Sequence, residues 1–295
     1  MLNRVTNQTM SAAAQLNLQA GQAKLAALQD KASNLKNITR PSDDPAATAN
    51  LLATKSQLSA AGQYSNNIDD GNGWLTTADS ALGQATNILN RVRDLTVQAA
   101  NGSLNSNAKE AIAVEIEGLN KDLLAQANTQ YLGRNVFAGS SDSAGAFSNA
   151  TPPVFNGTPG STVERRIDAT QTVRVDADGG AIFGDGAGSV FALVSNVVAD
   201  IRSGADVSGR LTAIGDKIKS VVNGRADVGA RQTKLMRAQD SVDGLKASLD
   251  AQRSGIEDAD IGKVVMDLKL QETNYQVALA VTAKTLQPTL MDFLK

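Results

Sequence analysis

The feature that most constrains this chain is a run of small and aliphatic residues whose spacing alternates between three and four without a fault: Leu75, Ala78, Leu82, Ala85, Leu89, Val92, Thr96 and Ala99. Alternation of that kind draws one narrow apolar stripe down a long α-helix. A helix that is apolar only along a stripe is marginal by itself in water and needs another helix to cover it. Asn101-Gly102 ends the run. A second helix is predicted to begin near Asn107, with Glu110 three residues on as a capping partner, and to present Ile112, Ile116, Leu119 and Leu123. The pattern returns at Val190, Val194, Val197 and Ile201, then at Leu211, Ile214, Ile218 and Val221, and continues to Leu235, Val242, Leu245 and Leu249. Aromatic residues make up only 3% of the chain, so thin helix-on-helix contacts suit it better than a thick globular core.

Both ends carry heptad-like seams. At the N-terminal end the seam is Leu18, Gly21, Leu25, Leu28, Ala32 and Leu35. At the C-terminal end it is Ile261, Val265, Leu268, Tyr275, Leu279, Thr282 and Leu286, with a polar fault at Glu272. Met266, Leu270, Val277 and Val281 form a second apolar set off the main C-terminal seam. One helix with two apolar stripes fits a helix that touches more than one neighbour, and a two-helix pair has little core of its own. These stripes read as an assembly surface.

Between the first seam and the next helix lies Arg40-Pro41-Ser42-Asp43-Asp44-Pro45. The residue before a proline is pushed out of the α region, which predicts that the first helix ends by about Arg40. Asp44 reads as an N-cap and Pro45 as the first residue of a new helix from Ala46 to about Ser59. The two prolines would fix a bend, and replacing both with Ala would fuse the helices. Residues 133–189 differ in composition: three of the six prolines and four of the six phenylalanines lie there. Alternation at Val173, Arg174, Val175 and Asp176, ended by Gly179-Gly180, predicts short antiparallel strands. Arg165, Arg166 and Arg174 read as a solvated strand face. Asp176, Asp178 and Asp185 among glycines raise a calcium loop, but the EF-hand spacing is missing and a strand-ending turn is the better reading. Adjacent Asp43 and Asp44 read as helix-start residues, not as a catalytic pair.

A net charge of −2 gives no strong attraction for nucleic acid or anionic lipid. The chain has no cysteine, hence no disulfide or thiol chemistry, and no histidine, the commonest general base and metal ligand. No cofactor, metal or catalytic site is predicted, and a structural protein is favoured over an enzyme. The first residues form no Sec-type signal peptide, and no stretch is long and apolar enough for a membrane span. A membrane-active helical secreted protein fits less well, because the helices lack tryptophan belts and a basic face.

The stretch "NITRPSDDPAATANLLATKSQL" (37–58) resembles the N-terminal signature of flagellin-like proteins, in the proline-bearing form of the group at the hook–filament junction. The end "NYQVALAVTAKTLQPTLMDFLK", "YLGRNVFAGSSDSAGAF" (131–147) and "VNGRADVGARQTKLMRAQ" (222–239) are similar to other parts of that family. The resemblance implies a mainly α fold: an elongated flagellin-like rod of long antiparallel helices, with paired terminal coiled-coil helices and a small β-rich insert. It implies a terminal coiled-coil domain of 1–40 with 255–295, a helical domain of 41–132 with 190–254, and an outward-facing insert of 133–189. The function implied is a structural adaptor at the distal end of the hook on which the filament is built. Such chains are exported unfolded through the flagellar type III apparatus and associate with copies of themselves, a neighbouring hook-associated protein and flagellin. An export chaperone would hold the last helix before export, at Leu270, Val277 and Val281. A flagellin filament subunit is the alternative.

Overall fold

The computed structural model describes residues 7–285 apart from 103 and 159. The described residues form seven α-helices: α1 Asn7–Asn34, α2 Pro45–Ala99, α3 Ser106–Ala127, α4 Gly179–Phe183, α5 Val190–Ser203, α6 Arg210–Glu257 and α7 Ile261–Thr285. Two antiparallel hairpins interrupt them, β1 Gln130–Tyr131 with β2 Arg134–Asn135, and β3 Glu164–Arg166 with β4 Thr172–Arg174. The chain divides into two compact units, one of residues 60–246 and one of residues 1–59 with 247–295.

The unit of residues 60–246 holds the main core. Ala61, Ile68, Leu75, Leu82 and Leu89 of α2 recur every seventh residue and are buried, as do Ile214, Val221, Val228, Leu235 and Val242 of α6. A strict seven-residue repeat keeps one seam facing one partner over many turns. Cross-links between the two helices run in opposite directions along the sequence. Arg225 donates to Asp79 at 2.7 Å, Gln232 to Thr76 at 3.2 Å and Gln239 to Ser65 at 3.1 Å, which makes the pair antiparallel. Helices α3 and α5 close the other side. Asn105, two residues ahead of the predicted start, caps α3 by accepting from the Ala108 N–H, and Ser189 caps α5 in the same way from Ala192. Gly204, in the left-handed region at φ 74°, ends α5.

Helix α2 corrects one sequence expectation. It does not stop near Ser59 but runs unbroken to Ala99 through Gly62, Gly71 and Gly73. Ala61, Ser65 and Ile68 continue the buried face, and that packing outweighs the propensity cost of roughly 1 kcal/mol per glycine. Two of the glycines are there for close approach. A Cβ on Gly71 would sit 3.0 Å from Val175, and one on Gly73 would sit 2.3 Å from the Tyr131 hydroxyl oxygen.

The insert packs on this same stretch of α2. Of its strands, β4 takes only the first half of the alternating run, Val173 and Arg174, and Gly179-Gly180 open α4 instead of ending a strand. The strand arginines, however, are not a merely solvated face. Arg165 donates to Asp70 at 2.6 Å and lies 5.9 Å over the Trp74 ring, and Asn67 of α2 donates to the Arg166 carbonyl. Arg174 grips the fully buried Asp176 carboxylate at 2.9 and 2.7 Å, and that carboxylate also accepts from the Val163 N–H at 2.7 Å. Asp178 caps the short α4 instead of closing a turn, accepting from Ala181. With these acids tied to named donors, no group of three acidic side chains able to hold a metal ion occurs among the described residues. Phe137, Phe147, Phe183 and Phe191 form the insert's aromatic core, all buried, with ring centroids 5.1–6.0 Å apart.

Candidate assembly surface and joint

The unit of residues 1–59 with 247–295 carries the residues singled out for assembly. Along α1, Ser11, Ala14, Leu18, Gly21, Leu25, Leu28 and Ala32 are half-buried at steps of three and four. Along α7 the half-buried set at the same rhythm is Val264, Leu268, Gln271, Tyr275, Ala278 and Thr282. The Tyr275 ring lies 3.4 Å from where a Gly21 Cβ would be, and Gln271 donates to the Gly21 carbonyl at 3.2 Å. Lys36 bridges Asp258 beyond one end of the pair and Met10–Leu18 lie beside Asn274–Thr282 toward the other, so the helices are antiparallel with Gly21 opposite Tyr275, a register that sets Leu28 against Leu268.

The C-terminal stripe is thus rotated from its expected position. Leu268, Tyr275 and Thr282 do face α1, but Ile261, Val265 and Leu279 are exposed, at 57%, 53% and 44%. Helix α7 is apolar on more than one face, so periodicity alone could not choose among them. The face that turns inward sets the Tyr275 ring against Gly21, with Gln271 donating to the Gly21 carbonyl beside it. Leu286 lies outside the described residues. The second stripe of Met266, Leu270, Val277 and Val281 is exposed at 71%, 61%, 56% and 56%, and Val277 and Val281 line an open hollow with Met10, Ala14 and Leu18 of α1. With Met10 and Leu16 of α1, this leaves much large apolar surface on a two-helix pair, which marks an interaction surface.

The joint follows α1. Helix α1 ends at Asn34, six residues before Arg40, so proline is not what stops it. Leu35 turns left-handed at φ 57° and is exposed, off the seam in which it was expected. The chain then pairs with the end of α6. The Asn37 N–H donates to the Glu257 carbonyl at 2.7 Å, and the Ala259 N–H to the Leu35 carbonyl at 2.9 Å. Replacing Pro41 and Pro45 would leave this stop in place, so fusion of the helices is no longer expected.

Beyond it, Asp43 gathers the bend onto one carboxylate oxygen, which accepts from the Arg40 N–H at 2.8 Å, the Thr39 hydroxyl at 3.0 Å and the Thr39 N–H at 3.2 Å. Those bonds, the Arg40 N–H first, hold the Asp43 carboxyl below its ordinary range. Asp44 caps α2, accepting from Ala47 at 2.9 Å, with Pro45 as the first helical residue.

One acidic residue at this joint carried no sequence signal. Glu257 is 3% exposed, and one of its oxygens takes Lys36 at 2.7 Å and Lys55 at 3.0 Å. The hydrogen bond from Lys36, then that from Lys55, lowers the Glu257 carboxyl pKa, against the opposing effect of burial. Its partners lie 221 and 202 positions away in the sequence, beyond the reach of any local motif. A carboxyl with a depressed folded-state pKa adds stability above its unfolded pKa and loses it as pH falls through the folded value. The joint should therefore loosen on acidification below the ordinary carboxylate range, while residues 60–246 keep their fold. Glu257→Gln should produce the same loosening at neutral pH, at a cost of about 1–2 kcal/mol given half-exposed lysines. Amide hydrogen exchange at residues 36–44 reads both. Unchanged protection in the variant would refute it.

The helical N-terminal region of bacterial flagellin matches residues 5–142, and the helical C-terminal region of bacterial flagellin matches residues 211–294. The chain belongs to the flagellin family, a family of structural flagellar proteins. Within it, the chain is 23% identical over 308 aligned residues to flagellar hook-associated protein 3 of Salmonella typhimurium, covering 96% of this chain and 95% of that one. It is 26% identical to flagellin FlaB2 of Treponema pallidum, over 88% of each. Its fold matches a flagellar hook-associated protein from Vibrio parahaemolyticus with a TM-score of 0.68 at 21% identity, covering 73% of this chain and all of that one. It matches hook-associated protein 3 from Legionella pneumophila at 0.63 and 15% identity, over 69% and 98%. The mainly helical, flagellin-like fold with a small sheet region is thereby established.

Proposed function

We propose that this chain is the structural adaptor of the bacterial flagellum that joins the hook to the filament. The observation that carries the reading is the proline-bearing joint. "RPSDDPAA" folds into an Asp43-gathered bend and an Asp44–Pro45 helix start, in a chain aligned almost end to end with a hook-associated protein 3. The chain acts by packing, not by catalysis. Residues 1–40 and 255–295 form the inner coiled coil of the polymer, 41–132 with 190–254 the helical body, and 133–189 an outer insert. Leu18, Leu25, Leu28, Leu268 and Tyr275 hold the terminal pair together, and exposed Ile261, Val265 and Leu279 meet neighbouring subunits. The protein is exported unfolded to the distal end of the hook, where it contacts copies of itself, another hook-associated protein and flagellin.

Deletion of the gene should leave cells with hooks and no filaments, shedding flagellin into the medium, as seen by electron microscopy and immunoblot. Filaments of normal length on the deletion strain would overturn the reading. Flagellin itself is the second reading, favoured by the similarity to Treponema flagellin, and it requires the purified chain to polymerise alone into long filaments. Before export, the outer stripe at Leu270, Val277 and Val281 docks a chaperone. Leu270→Asp should weaken capture by the flagellar export chaperone about tenfold or more, since it places a charge in an apolar contact. Calorimetry with the purified pair measures it, and unchanged affinity would exclude this stripe.

A further inference from the structure

The joint leaves one buried acceptor unused. Lys36 and Lys55 converge on the same Glu257 oxygen, Oε1, while Oε2 has no hydrogen-bond partner and neither does the nearby Thr48 hydroxyl. Both side chains line a hollow floored by Ile38 and Leu51, with Arg40 on its rim. A buried carboxylate oxygen without a donor is costly, and such groups are rarely left unserved. The hydrogen bonds that hold Arg40 are main-chain ones, and its side chain acts on Asp43 through its charge alone. Its N–H is fixed by Asp43, the following Pro41 restricts its backbone, and its exposed guanidinium makes no hydrogen bond or ion pair among the described residues. The Asp43 carboxylate, the nearest competitor for that charge, already accepts three donors.

We propose that Arg40 is the missing donor: on assembly its side chain turns into the hollow and pairs with Glu257 Oε2, tying residues 36–44 to the end of α6. The inference rests on the self-association proposed above, and supplies the reason for the two states. In the free chain the guanidinium is well hydrated, and losing that water offsets what the pair gains. Once a neighbouring subunit covers the rim, the hydration is lost in any case, and the buried pair becomes the favoured arrangement. A planar fork with five N–H donors suits a single spare oxygen beside two lysines.

Three variants of the full chain test this: Arg40→Ala, Glu257→Gln and the double variant. Each is examined by chemical denaturation of the free protein, and by incorporation of added purified protein at hook ends of cells lacking the gene, counted by immunogold labelling. Arg40→Ala should leave the denaturation midpoint unchanged and reduce incorporation at least tenfold. The double variant should incorporate no worse than Glu257→Gln alone, because the two residues act as one pair. Wild-type incorporation by Arg40→Ala would overturn the proposal and point to a donor from the neighbouring copy. A lowered midpoint for free Arg40→Ala would also overturn it, since the pair would then exist before assembly. Failure of the wild-type protein itself to incorporate would bring down the assembly reading, and this inference with it.

Discussion

Phe183→Ala should lower the unfolding free energy of the 60–246 unit by about 3–5 kcal/mol, the range for truncating a buried phenylalanine where the surroundings cannot collapse. The site has little freedom to collapse. Phe183 is fully buried, edge-on to Phe137 at 5.4 Å and Phe147 at 5.9 Å, and stacked on Phe191 at 6.0 Å. Three rings therefore lose a neighbour at once, together with the aromatic pair terms of roughly 0.5–1.5 kcal/mol each that are part of that total. The backbone around the gap is pinned. Asp178 caps α4 immediately before it, and the Gly179 N–H donates to the Phe137 carbonyl at 3.0 Å. Urea denaturation followed by Trp74 fluorescence reads the effect, since that tryptophan lies buried in the same unit. A loss below about 1 kcal/mol would mean that the aromatic cluster is not the keystone of the insert.

Leu268→Asp should abolish incorporation into the flagellum while leaving the denaturation of residues 60–246 unchanged. Leu268 is only half-buried in the free chain, on the α7 face that meets α1. A carboxylate there can still reach water, so the monomer should suffer little. In a polymer the same position would lose its water, and an unpaired charge then costs several kcal/mol per subunit. At about 1.4 kcal/mol for each factor of ten, the loss is several hundredfold or more per contact, repeated around the assembly. The conservative Leu268→Met should incorporate normally, which separates loss of packing from loss of identity. Hook-tip labelling of cells producing each variant provides the measurement. Normal labelling with Leu268→Asp would show that the α1–α7 seam is not buried on assembly.

How far each feature could be read in advance follows the range of the forces that make it. The long helices come from residue spacing within a few turns, and the start of α2 from Asp44 and Pro45 side by side. Both are local, and both were legible. Strand β4 was partly legible from the alternation at Val173 and Arg174, but the roles of the insert's arginines were not. Arg165 finds Asp70 and Trp74 across about ninety positions of chain, and no short-range pattern encodes such a meeting. Only the folded joint reveals Glu257 as the anchor of two lysines. The proline reading was half correct: the prolines shape the start of α2, whereas the stop of α1 is made by Leu35 and the pairing of residues 35–37 with 257–259.

What the sequence settled by itself was where apolar stripes run, because a helical period is a property of neighbouring residues and survives any arrangement of the whole. Tertiary structure decided which stripe turns inward. On α7 apolar residues lie on several faces, and the one that turns inward sets Tyr275 against Gly21, more than 250 positions away in the chain, a meeting that no local spacing encodes. It also decided that α2 runs on past Ser59 through Gly62, Gly71 and Gly73, since burial of Ala61, Ser65 and Ile68 together outweighs the local preference of each of these glycines to break the helix.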